Sequence, residues 1–100
     1  PIEAYHFARG DILGRMERYD EAIAEFKQEI ALFPQNRQAY ANLYLIYLLR
    51  NDEANAQRII DDMVEKNPGK TSMLFAAKTV GALGDQRGAA EWRRRAASAR

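Results

Sequence analysis

The chain has 100 residues, with 15 Lys+Arg, 14 Asp+Glu, one His and no Cys. At roughly 100–200 residues per domain this is a single domain, and its longest apolar run, the seven residues 43–49, falls far short of the roughly 20 that a membrane-spanning helix needs. The missing cysteines exclude a disulfide framework, a thiolate zinc site and a thiol nucleophile, the single histidine leaves little for metal binding or acid–base catalysis, and a net charge of +1 argues against polyanion binding by the chain as a whole.

The sequence opens on Pro1, with neither a Met nor a basic-then-apolar leader. The expectation is a piece of a longer polypeptide; the alternative is a chain whose initiator Met was removed. Stretch 3–16 reads as a first helix. In 20–33, Ala22, Ile23, Phe26, Ile30 and Phe33 recur at helical spacing. Asp20 and Glu21 favour the positive end of that helix, and Pro34 stops it, because the residue before a proline is pushed out of the helical region. Stretch 37–50 is apolar nearly all round, as expected of a helix buried on most sides. In 53–66, Ala56, Ile59, Ile60, Met63 and Val64 repeat the amphipathic stripe, with Asp52 as N-cap. Asn67-Pro68-Gly69 is a turn. Stretch 71–83 and a last helix beyond Gly84-Asp85 complete six helices of about 12–14 residues. No stretch alternates with the period of a strand.

Pro34 and Pro68 lie 34 residues apart, and the windows that end on them match. Leu13 pairs with Tyr47, Ala22 with Ala56, Phe26 with Ile60 and Ile30 with Val64. A third window, from about Thr71, has Gly84-Asp85 in place of Asn51-Asp52 and Ala89 in place of Ala56. It is in register only if one residue is lost near residues 68–73. A 34-residue helix–turn–helix unit with this small–large pattern and terminal Pro resembles the tetratricopeptide repeat. Gly10, Leu13, Tyr19, Ala22, Phe26 and Pro34 carry the resemblance in the first unit. Tyr40, Leu43, Tyr47, Ala56 and Pro68 carry it in the second, where Tyr44 replaces the usual Gly. Ala77, Val80, Ala89 and Ala96 carry it in the third, where Arg93 replaces a large apolar residue. The resemblance implies an all-α, right-handed superhelix of three repeats, at about 3–36, 37–70 and 71–100. Small residues such as Gly10 and Ala22 would let paired helices approach closely.

Other features read as structure. Gly69-Lys70-Thr71 ends like a phosphate-binding loop, but it lacks the earlier Gly and the preceding strand, so it is an inter-repeat turn. Gly81, Gly84 and Gly88 do not have dinucleotide-binding spacing. Asp61, Asp62 and Glu65 are too few oxygen donors for a cation. His6 has no nucleophile or second base beside it. Arg93, Arg94 and Arg95 follow Trp92 in a tail, from Arg87 onward, of net +4. They suit the solvated outer face of a terminal helix, with Trp92 docking that helix. Phosphate or nucleic-acid binding is a minor option. Arg9 and Glu29 stand where apolar or small residues are usual, and antiparallel geometry leads us to expect Glu29 hydrogen-bonded to Arg9, to His6 or to both; the alternative is that Arg9 and Glu29 both point to water at the open face of a terminal repeat.

In this family the first helices of successive repeats line a concave groove that receives peptides. By that register the groove would show Ala4, Phe7, Asp11 and Arg15, then Gln38, Ala41, Asn42, Leu45, Leu48 and Leu49. The third repeat would add Thr71 or Ser72, Leu74 or Phe75, and Lys78 or Thr79. A clamp for a C-terminal carboxylate is not expected, since only Asn42 matches it and Asp11 would repel the ligand. The expected function is a non-enzymatic scaffold binding a protein or peptide on the concave face, with no catalytic, cofactor or metal site, no small-molecule substrate and no membrane. The alternative is a structural or dimerising accessory module of a larger protein, for example one C-terminal to a sulfatase-like bacterial enzyme. Cytoplasm is the default location.

Overall fold

A computed structural model describes residues 5–99, with side chains from residue 8 onward. Six helices follow one another: α1 (Tyr5–Arg15), α2 (Tyr19–Leu32), α3 (Arg37–Leu49), α4 (Glu53–Lys66), α5 (Lys70–Ala82) and α6 (Gln86–Ser98). Among the described residues there is no strand. The helices pack as three antiparallel hairpins, α1 with α2, α3 with α4 and α5 with α6. Each hairpin leans on the next through α2–α3 and α4–α5, and the first helices also touch one another, α1 with α3 and α3 with α5. The result is an all-α helical-repeat array.

The turn inside each hairpin is the same structure three times. Glu17, Asn51 and Gly84 take positive φ, at 60°, 57° and 104°. The residue after each sends its N–H back to the last turn of the preceding helix: Arg18 to the Leu13 carbonyl (2.9 Å), Asp52 to Tyr47 (2.8 Å) and Asp85 to Val80 (2.9 Å). These bonds satisfy carbonyls that a helix end leaves unpaired. Asp52 then caps α4 by accepting the Asn55 N–H at 3.2 Å, and Asp85 caps α6 by accepting the Gly88 N–H at 2.8 Å. The turn recurs after 34 residues and then after 33. The lost residue falls between hairpins, where 33–36 joins α2 to α3 but only 67–69 joins α4 to α5. Phe33 and Asn67, each preceding a proline, have both left the helical region, with ψ near 70°, in keeping with the exclusion of the helical conformation before proline.

The core is threaded through all three hairpins. Phe26, Tyr40, Leu43, Ile60 and Met63 are its largest fully buried apolar side chains, and each such burial stabilises by roughly 1.5–3 kcal/mol. Ala22, Ala56 and Ala89, at one repeat position, are wholly buried. Trp92 is buried too, in the same cluster, and its ring carries the Arg95 guanidinium 4.2 Å from the centroid. Polar bonds tie the hairpins together. Pro34 O accepts from Tyr40 Oη at 2.9 Å and from Asn67 Nδ2 at 2.8 Å. Arg37 Nε donates to the buried Ser72 Oγ at 2.9 Å, and Arg50 pairs with Asp20. Burial raises the Tyr40 and Tyr44 pKa values above the ordinary phenol.

One expected contact is different. Arg9 pairs with Glu25 at 3.3 Å, not with Glu29. Glu29 is fully buried and accepts the Asn36 side-chain amide at 2.8 Å. Glu25 and Glu29 lie one turn apart on α2, but four residues of helix leave a rotation of about 40°. That rotation keeps Glu25 at the rim, within reach of a half-exposed arginine, and swings Glu29 inward. The His6 side chain lies outside the described residues.

Candidate protein-binding groove

The groove is built on the face where the first helices meet. Arg37 opens α3, and the run from Ala39 to Tyr47 buries Ala39, Tyr40, Leu43, Tyr44, Ile46 and Tyr47. A helix can hide only the sides that neighbours cover, and two leucines remain open: Leu45 is 40% exposed and Leu49 54%. Leu45 lies at the junctions with both α1 and α5, and Leu49 at the junction with α1.

Two hollows flank α3. The first, about 190 Å³, lies between α1 and α3 and is lined by Asp11, Arg15, Asn42, Leu45, Leu49 and the ring of Phe26, among others. Asp11 and Arg15 form an ion pair at 3.2 Å on its rim, so the rim is locally neutral. The second, about 280 Å³, lies between α3 and α5. Gln38, Ala41, Asn42, Leu45, Phe75 and Lys78 line it, with Thr79, Ala82 and Leu83. Gln38 donates its amide to Asn42 Oδ1 at 2.9 Å. That bond orients the Asn42 amide and leaves its own N–H groups free for a ligand. Asn42 and Leu45 belong to both hollows, so the two form one groove across α3 with a shared ridge.

The structure thus brings together Asp11, Arg15, Gln38, Asn42, Leu45 and Leu49. Leu48 goes elsewhere: it packs partly against the core and lines a separate hollow with Tyr44, Glu53, Leu83 and Asp85. One residue along a helix is a rotation of about 100°, enough to part Leu48 from Leu49. The Phe7 and Ala4 side chains lie outside the described residues. In the third repeat Phe75, Lys78 and Thr79 line the groove, whereas Ser72 is buried beneath Arg37. Tyr19, Ala82 and Leu83 also line it, without having been expected there. Ala82 follows from Leu49 by the 33-residue step; Tyr19 opens α2 and Leu83 follows the end of α5, both outside the first-helix register used to place the groove.

The basic tail is dispersed. Arg94 pairs with Glu91 on its own helix, Arg95 lies over Trp92, and Arg93 is exposed. Among the described residues no three His, Cys, Asp or Glu side chains gather as a metal site would need, and no helix is long and apolar enough to cross a membrane.

No protein-family model matches the chain, and no curated protein matches it. The fold, however, is similar to a known one. The crystal structure of MamA superposes with a TM-score of 0.65 over 96% of this chain, at 18% sequence identity. At that identity the likeness concerns architecture: both are helical-repeat folds. The chain spans 57% of the length of MamA.

Proposed function

We propose that the chain is a tetratricopeptide-type interaction module that binds an extended segment of a partner protein along the face formed by α1, α3 and α5. The observation that carries this reading is the single groove with two apolar hollows and a shared polar ridge at Asn42. Apolar hollows accept side chains, while an amide with a free donor pair and an acceptor matches a peptide backbone. Exposed leucines in a concave surface cost the free protein solubility and are explained by a partner. The fold likeness supports a scaffold rather than a catalyst.

Leu45→Asp places a charge where both hollows meet. Leu45 is 40% exposed, so the helical content should persist even if the unfolding midpoint falls slightly. Capture of the partner, identified by cross-linking through a photoreactive residue at position 49, should be lost. Unchanged cross-linking to the same partner rejects the groove.

A further inference from the structure

The repeat register shows that the two edges of the described array differ, the α1 edge being apolar and open and the α6 edge polar. Ile46 on α3 is 4% exposed because it packs on the hairpin before it, where a Cβ at Gly14 would lie 3.7 Å from its Cδ1. Thirty-four residues earlier the same position is Ile12, and it is 57% exposed. Position 50 likewise reaches backward: Arg50 pairs with Asp20 of the preceding hairpin. Its equivalent in the first hairpin is Met16, apolar and exposed. At the opposite end the pattern is reversed. Phe26 and Ile60 are buried at one repeat position, with Ile60 bordering a hollow shared with Val80 of the next hairpin. The third hairpin places Arg93 there, exposed, and exposed Ala97 where Ile30 and Val64 are buried. The α6 edge therefore exposes a cation and a small side chain where the inner hairpins bury large apolar ones.

We infer that the α1 edge, through Ile12 and Met16, is a docking face for one further helical hairpin, stacked in register ahead of this one. The occupant must bring a hairpin edge like the one that covers Ile46, where Gly14 of α1 lies against its side chain and Tyr19 and Phe26 line the same hollow. A second copy arriving head to tail does not qualify, because it would bring Arg93 where the first two hairpins have Phe26 and Ile60, and Ile12 and Met16 offer that guanidinium no acceptor. This inference is independent of the groove.

The chain has no cysteine, so Ile12→Cys provides a unique thiol at the edge. Two proteins carrying this substitution are compared: the 100-residue chain, and the same chain with an unsubstituted copy of its own residues 3–36 inserted ahead of residue 3, which continues the 34-residue register. The inserted hairpin should slow labelling of the thiol by tenfold or more, and the urea transition should stay single and move to higher urea. The same hairpin appended after Arg100 should unfold separately, because the Arg93 face offers it nothing to stack on. A second insertion made from residues 37–69 guards against a defect particular to the first. Labelling as fast in both insertions as in the 100-residue chain overturns the inference. So does labelling of the 100-residue chain that slows with its own concentration, which would make the occupant a second copy.

Discussion

The ring of Phe26 stands directly over the backbone of Gly10: a Cβ on residue 10 would lie 2.9 Å from Phe26 Cζ and 3.0 Å from both Cε atoms. The ring is 1% exposed and cannot swing into solvent. This contact sets how closely α1 approaches α2, and with it the wall of the first hollow, which Gly10 and Phe26 both line.

Gly10→Ala should therefore destabilise the protein. Replacing an interior helix Gly gains about 1 kcal/mol of helix propensity, and overpacking costs about 1–3 kcal/mol, so a net loss of about 1 kcal/mol is expected in urea unfolding. Phe26→Leu, destabilising alone, should remove most of the Gly10→Ala penalty in the double variant. Strict additivity of the two changes would show that the contact is not what limits the approach.

Glu29 is a carboxyl group at a core position. Its repeat equivalents are Met63 and Ala96, both buried, and its Oε1 meets no donor among the described residues. Replacing a buried polar group by an apolar one of similar volume is often neutral or stabilising. Glu29→Met should leave stability unchanged or raise it by up to about 2 kcal/mol, whereas Glu29→Ala, which opens a cavity, should lower it by about 2–3 kcal/mol. Thermal or urea midpoints for the two variants that fall together, both well below the parent, would contradict this.

Asp52 links stability to pH. Its carboxyl is held below the ordinary aspartate value of 3.8, first by the Asn55 side-chain amide at 2.6 Å and then by the Asn55 backbone N–H. A depressed pKa in the folded state means the ionised cap stabilises the fold above the unfolded value and loses that contribution as pH falls through the folded one. The gap in urea midpoint between the parent and Asp52→Ala should be constant from neutrality to about pH 5 and narrow below 3.8. A gap that widens in acid has the wrong sign.

The left-handed turns offer a gain. Glu17 and Asn51 hold the positive φ that the third hairpin assigns to Gly84. A left-handed residue with a Cβ is strained by roughly 1–2 kcal/mol, against about 0.4–1 kcal/mol of extra backbone freedom that glycine brings to the unfolded chain. Glu17→Gly should raise stability by about 0.5–1 kcal/mol. Asn51→Gly should give less, since Asn tolerates this region. Differential scanning calorimetry of the two variants side by side checks both the sign and the order.

Much of this architecture is written locally. The stripe at Ala22, Phe26 and Ile30, the stop at Pro34, the cap at Asp52 and the return of the pattern at Ala56, Ile60 and Val64 each depend on residues within a turn or two of one another. Helix period, proline sterics and capping act over that range, so the six helices and the lost residue before the third repeat could be read from the amino acids alone. What tertiary packing decided was the direction of side chains at the margins of each stripe. Arg9 meets Glu25 while Glu29 turns inward, Leu49 faces the groove while Leu48 turns away, and Ile12 is open while Ile46 is buried. In the first two cases a rotation of about 40° or 100° separates the outcomes. In the last, the same apolar residue at the same repeat position differs only in whether another hairpin lies against it. Sequence periodicity names a face of a helix; only the neighbouring helix decides where that face ends.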